Sequence, residues 1–277
     1  MELPRPNVTF NEVGPYMFTL GFGFDAKKND YKVVRLVYVQ GDIGDDRFDY
    51  LPPKVEVFSV KEKGWRMVSG DGLECYFVED RWTQCFLNGR VHWITYEKKK
   101  GRFKNWVLLF DMEDEKFRKM KLPESLVDVI PMKLFISVTR GMLTVSEYYF
   151  TEAKNKYCNI WVRTQYGDVK SWSKVYSIDV LGGAGRVFGL TENGEVFLAK
   201  AEGGGGWQGY ADSQNLFEVR RGELVLYDPK SRQTKVVQPQ GVVDAFFVGD
   251  YTESLILLNK ESGATFCEVA KIEGKRK

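Results

Sequence analysis

The sequence predicts an all-β fold built from repeated units of four short strands. Its 277 residues show almost no helical periodicity, and aromatic residues, which favour strands, make up 14% of the chain. The turn glycine Gly89 recurs at Gly141 and Gly194, at intervals of about 52 and 53 residues. A repeat of about 50 residues with four strands is typical of β-propeller blades, whereas helical repeats are mostly shorter. A β-sandwich with coincidental spacing is the alternative.

The segment 86–123 contains the clearest copy of this unit. Two short strands flank Asn88-Gly89, a pair that suits a type I′ turn because both residues tolerate positive φ. The run 106–112 is continuously apolar, as expected for a strand that is buried on both faces. A polar turn and a return strand at 117–122 complete the four strands.

Runs of β-branched and aromatic residues, bounded by turn residues, predict the remaining strands. In chain order these are 17–24, 31–39, 55–60, 65–68, 133–138, 142–149, 159–164, 171–178, 186–190, 195–199, 215–219, 224–227, 234–237, 245–248 and 254–258. Residues 3–6 (LPRP) have the pattern of a strand end, and 124–130 predicts one short helical turn. The pattern indicates one domain, 1–270, followed by a basic tail, 271–277.

Composition narrows the classes of function. Charge is nearly balanced, with 40 basic and 38 acidic side chains, so no nucleic-acid partner is expected. No apolar run is long enough to predict a transmembrane helix, and residues 1–10 lack the apolar core of a secretion signal, so no membrane partner is expected. The four scattered cysteines form no metal-binding pair, which favours reduced thiols in a cytoplasmic or nuclear protein.

The sequence predicts no catalytic, cofactor-binding or metal site. The single histidine, His92, lies in a strand, where a packed or hydrogen-bonded side chain is expected. It has no second histidine with which to complete a zinc site or a nucleophilic triad. Glycine-rich runs at 21–24 and 182–189 do not end in the GK[ST] of a phosphate-binding loop. We therefore expect a protein that is not an enzyme and uses no cofactor, with a propeller enzyme as the alternative.

Loops on a rigid β-framework are the expected place for partner binding. The partner-binding candidates are Trp207, Tyr210, Asp45, Asp46, Tyr148 and Tyr149. The Trp and Tyr pair lies in a glycine-rich run, 202–210, where aromatic side chains suit recognition. The two aspartates lie in an acidic loop, 41–53, that suits a basic partner. The two tyrosines end a predicted strand beside a polar loop.

Eight segments in the same order carry a resemblance to a known family. They are GFGFDAKKNDYKVVRLVY, VEVFSVKEKGWR, FLNGRVHWI, LLFDMEDEKFRKMKLP, IWVRTQYGDVKSWSKVYSI, NGEVFL, LVLYDPKSRQTK and YTESLILL. Together they resemble, over residues 16–258, the F-box-associated domain of plant F-box proteins of the F-box/kelch-repeat and S-locus F-box types. The resemblance implies a kelch-type propeller that binds the target protein of an SCF-type (Skp–cullin–F-box) ubiquitin ligase. For the S-locus type it also implies a role in self-incompatibility.

The resemblance also implies segments that this sequence does not contain. In the family an F-box, which grips the Skp adaptor, and an initial blade precede the matched region. We therefore expect Skp binding only where an F-box is present, and a propeller that is incomplete at its N-terminus. Its seam would lie between strand 17–24 and the strands near 254–258, unless those C-terminal strands complete the first blade. A truncated decoy that binds the same partner without ligase activity, or a non-functional relic, is the alternative function.

Overall fold

The computed structural model describes residues 3–14, 16–39, 52–73, 77–78, 84–99, 101–150, 156–180, 184–201 and 221–242. Within them, sixteen strands form four antiparallel sheets of four strands each. The strands are β1 Tyr16–Asp25, β2 Asp30–Val39, β3 Lys54–Ser59, β4 Gly64–Val68, β5 Gln84–Leu87, β6 Arg90–Lys99, β7 Arg102–Asp111, β8 Phe117–Met120, β9 Leu134–Thr139, β10 Met142–Phe150, β11 Lys156–Arg163, β12 Trp172–Asp179, β13 Ala184–Leu190, β14 Val196–Ala201, β15 Arg221–Tyr227 and β16 Thr234–Val242.

Helical structure is almost absent from the described residues. It comprises one turn of α-helix, α1 (Phe10–Val13), and three 3-10 helices at Glu124–Leu126, Pro131–Lys133 and Val169–Ser171. The first of the 3-10 helices confirms the helical turn predicted within 124–130. No helix in the described part of the chain is long and apolar enough to cross a membrane.

Each sheet is one blade of a β-propeller, and its strands follow chain order. The first strands of the blades, β1, β5, β9 and β13, contact one another in succession, so they form the innermost layer. The predicted all-β propeller of four-stranded blades is therefore confirmed. The predicted strands 215–219, 245–248 and 254–258, the predicted seam and the basic tail lie outside the described residues.

The turns explain why the sequence folds into these units. Asn88 and Gly89 have φ values of 51° and 73°, as a type I′ turn requires, and they join β5 to β6 with two residues. Arg140 and Gly141, with φ values of 54° and 69°, join β9 to β10 in the same way. The 52-residue spacing of the two glycines therefore records equivalent turns in successive blades.

The hydrophobic core lies between the blades rather than within one of them. On β7, Leu108 and Phe110 pack in a cluster shared with the first blade, whereas Val107 and Leu109 pack in a cluster shared with the third. Burial of this strand on both faces is thus confirmed. A third cluster joins the third blade to the fourth. Because each blade presents two apolar faces, adjacent blades must pack together to remove them from water.

A buried cation also links the first two blades. The Nζ of Lys32, on β2, lies 2.5 Å from the carboxylate of Asp25 and 2.9 Å from that of Glu115, and it donates to the carbonyl of Met112 at 2.6 Å. Burial alone would raise the pKa of each carboxyl group, but the hydrogen bonds and charges of the paired cations leave both pKa values lowered. The charged pairs therefore hold the β7–β8 turn of the second blade against the first.

The N-terminal segment lies against the outer part of the first blade. The backbone N–H of Val8 donates to Glu56 at 2.9 Å, and the indole of Trp65 donates to the carbonyl of Pro4 at 2.9 Å. Residues 3–6 are not in a strand, so the prediction of a strand end there is wrong. The polar side chains that hold the segment in place are distant in sequence, which is why a local pattern could not reveal its role.

Candidate partner-binding face

The two ends of the blades carry different kinds of connection. Strands alternate in direction, so all turns from first to second and from third to fourth strand lie at one end. The strand ends that flank every connection from second to third strand, and every connection between blades, lie at the other end, which we call the loop face. The segments that join these strand ends are 40–53, 69–83, 100–101, 121–133, 151–155, 180–183 and 202–220. Four of these seven have 13 to 19 residues and are longer than any turn at the opposite end, where the longest has eight. Long connections on a rigid framework are where binding residues usually lie.

The topology relates the predicted partner-binding residues to this one face. Asp45, Asp46, Trp207 and Tyr210 lie outside the described residues, but the strands that precede and follow them end and begin at the loop face. Their predicted role in binding stays a prediction.

Tyr148 is a core residue that joins two blades. It lies on β10 and is 7% exposed, and its hydroxyl accepts a hydrogen bond from the backbone N–H of Val187 on β13. Tyr38 on β2 does the same for Val78, which precedes the second blade, with a distance of 3.1 Å. Since adjacent residues of a strand point to opposite faces, Tyr148 and Tyr149 could not both face solvent on one side. That alternation was the signal available in the sequence.

Tyr149 lies half-buried on the other face of β10. Its ring stacks on that of Tyr157, with centroids 5.5 Å apart and planes 19° apart, and its hydroxyl lies 3.4 Å from the Oγ of Ser177. Tyr157 and Ser177 both line a cleft between the third and fourth blades. Tyr149, one of the predicted partner-binding residues, therefore lies directly behind the wall of this cleft.

This cleft, which we call the inter-blade cleft, has a volume of about 650 Å³. Buried Ile178 and Leu198 contribute apolar surface, and Tyr157 and Tyr227 contribute aromatic rings. Further polar and charged lining residues are Ser177, Asp179, Lys200, Arg232 and Thr234. Sequence analysis did not identify the cleft, because its lining residues come from five strands and a turn in two blades.

His92 lies in a different environment from that of a catalytic base. It is fully buried, its Nε2 lies 2.6 Å from the hydroxyl of Tyr166, and its Nδ1 lies 3.4 Å from the carbonyl of Cys85. Burial lowers the pKa of His92 to about 4 and raises the pKa of the Cys85 thiol. The expected packed, hydrogen-bonded strand histidine is confirmed. No cluster of three or more metal-ligating side chains occurs among the described residues.

Comparison with known proteins then assigns the family. The profile of the "F-box associated beta propeller domain" family matches residues 6–203, which is more than half of the chain. The chain belongs to this family. The match covers the first three blades and the first two strands of the fourth, so it includes the third-blade wall of the inter-blade cleft. Leu198 and Lys200 of the fourth blade also lie within the matched region, whereas Tyr227 and Arg232 lie beyond it.

Relatives of this F-box-associated propeller come from Arabidopsis thaliana. "F-box protein At3g07870" is 26% identical over 281 residues, covering 89% of this chain and 60% of that protein. "F-box protein CPR1" is 27% identical, covering 59% of this chain and 40% of that protein. "F-box/kelch-repeat protein At3g23880" is 24% identical, covering 58% and 40%. The chain thus spans 40 to 60% of the length of these relatives.

A solved structure, "Hypothetical protein from leishmania major", aligns with a TM-score of 0.37 and 12% identity, covering 79% of this chain and 66% of that one. At that TM-score the alignment carries no conclusion about fold or function.

Proposed function

We propose that the chain is the substrate-recognition part of an SCF-type ubiquitin ligase receptor, which binds a target protein through its loop face. Membership of the F-box-associated propeller family is the observation that carries this proposal. Relatives named as F-box proteins support it. The fold fits such a role, because the packed blades fix the relative positions of the strand ends from which the connections start. Transfer of ubiquitin would be carried out by other subunits, so the propeller itself needs no catalytic group.

Recruitment of a Skp adaptor is proposed only for a polypeptide that carries an F-box ahead of this propeller. This proposal is supported by the relatives above, which are named as F-box and F-box/kelch-repeat proteins. A role in self-incompatibility remains a prediction from the sequence.

The test compares three tagged proteins expressed in plant cells: the full chain, the full chain behind an F-box segment, and the F-box segment alone. We expect both F-box proteins to co-purify with the Skp adaptor. We expect proteins captured by the full chain to become ubiquitinated only when the F-box and the propeller are joined. If the fusion binds the adaptor but ubiquitinates captured proteins no better than the F-box segment alone, the proposed function is wrong.

A further inference from the structure

The inter-blade cleft has the form of a site for a short ligand segment. Its volume of about 650 Å³ falls within the range of about 300–1,000 Å³ that is typical of ligand pockets. Ile178, at 2% exposure, and Leu198, at 4%, belong to the cluster that joins the third and fourth blades. The apolar part of the lining is therefore built on the rigid core rather than on a loop.

The aromatic lining is held in place before any ligand binds. The ring of Tyr157 is stacked on Tyr149, which limits its rotation. Tyr227 ends β15 and packs at the edge of the same hydrophobic cluster. Rigid tyrosine rings give a large contact area at low entropic cost, and they are common in the energetically dominant parts of interfaces.

Two cationic side chains and one anionic side chain line the cleft, so the net charge of its lining is positive. Lys200 and Arg232 both line it and are exposed, and neither forms an ion pair within the described part of the chain. Asp179, the acidic lining residue, already has an interaction. Asp228, on the same turn as Arg232, accepts hydrogen bonds from the backbone of Lys230 and the hydroxyl of Ser231, at 2.9 and 2.7 Å. An incoming carboxylate would therefore meet two unpaired cations.

We propose that the inter-blade cleft binds a short peptide segment of the target protein, with an acidic side chain against Lys200 and Arg232. An adjacent apolar or aromatic side chain of the segment lies over Ile178 and Leu198. This proposal rests on the proposed function and adds to it the chemistry of the recognised segment. The cleft extends beyond the loop face, since β12, with Ile178, ends at that face and the β15–β16 turn, with Arg232, lies at the opposite end. Acidic peptides are favoured because the cleft offers donors and positive charge beside an apolar surface.

The test is selection of a random heptapeptide display library on the purified full chain. We expect enrichment of peptides with Asp or Glu next to a Leu, Ile, Phe or Tyr. A fluorescent copy of the most enriched peptide then gives Kd for the wild type and for Lys200→Glu/Arg232→Glu. We expect binding to weaken about tenfold or more, since two exposed favourable pairs become repulsive. The control is Lys174→Glu/Lys230→Glu, which changes net charge equally on exposed residues outside the lining of the cleft and should leave Kd unchanged.

A second arm changes the peptide instead of the protein, so that folding of the variant cannot explain the result. Replacing each acid of the selected peptide by its amide should weaken binding to the wild type by a similar factor. Selected peptides without an acid, equal Kd values for the two double variants, or no enrichment at all would each overturn the proposed cleft ligand. The ubiquitination test above does not depend on this library, so it decides the proposed function separately.

Discussion

Gly21→Ala should destabilise the protein strongly, because the first and second blades meet closely at this glycine. Gly21 lies on β1, where an added Cβ would be 2.4 Å from Cζ2 of Trp93 and 2.7 Å from Cγ1 of Val91. Carbon atoms in contact are ordinarily about 3.5–4.0 Å apart, so the two blades would have to separate by roughly 1 Å. Trp93 is 1% exposed and its indole donates to the carbonyl of Leu20 at 3.0 Å, so it has little room to move.

Two contributions determine the expected loss of unfolding free energy in Gly21→Ala. Overpacking of a well-filled core costs about 1–3 kcal/mol, and weakening of the indole hydrogen bond adds about 1 kcal/mol. A total near 3 kcal/mol corresponds to a fall in Tm of about 6–12 °C for a chain of this size. Thermal unfolding followed by far-ultraviolet circular dichroism measures it.

Gly167→Ala is the matched control, because that glycine is exposed and has no heavy atom within 4 Å of the added Cβ. It should leave Tm unchanged or raise it slightly. In Gly21→Ala/Trp93→Phe the smaller ring leaves space for the methyl group. The double variant should therefore lose less unfolding free energy than the sum of the losses of the two single variants. If Gly21→Ala melts within about 1 °C of the control, the close approach of β1 to β6 is not as the structure shows it.

Three further predictions concern the hydrogen bonds and ion pairs that join adjacent blades. Tyr148→Phe leaves the buried N–H of Val187 unpaired and should cost about 1–3 kcal/mol of unfolding free energy, whereas Tyr149→Phe should change it by less than about 0.5 kcal/mol. Lys32→Met leaves two carboxylates without their buried cation and should cost about 3–5 kcal/mol at pH 7, measured as a fall in urea midpoint. Because the pKa of His92 is about 4 in the folded state, the unfolded chain binds its proton more readily, and stability should fall by up to about 3 kcal/mol as pH drops from about 6.5 to 4. His92→Gln should remove that part of the pH dependence, and equal slopes for variant and wild type would contradict it.

Sequence could predict the blades because each is specified by neighbours in the chain. The Asn88-Gly89 turn and the apolar run on β7 are local patterns, and both were confirmed. The inter-blade cleft is not local: Tyr157 and Arg232 are far apart in sequence and meet only when two blades pack. The hydrogen bond of Tyr148 is non-local in the same way, since its partner Val187 on β13 is 39 residues away. In a propeller, the strands and turns of each repeat can thus be predicted from local sequence, whereas the surfaces formed between repeats cannot.

The contrast between buried contacts and exposed surfaces also indicates which residues are available for partner binding. Buried polar side chains such as His92 and Lys32 form hydrogen bonds with the adjacent blade. Glycines on the inner strands have a structural role as well. A Cβ on Gly189 of β13 would lie 2.8 Å from the hydroxyl of Thr139 on β9, so the third and fourth blades approach closely there, as the first and second do at Gly21. Since these residues hold the blades together, we expect the proposed recognition to depend on groups at the loop face and in the clefts between blades. Arg232, exposed on a turn and without an ion pair among the described residues, is such a group.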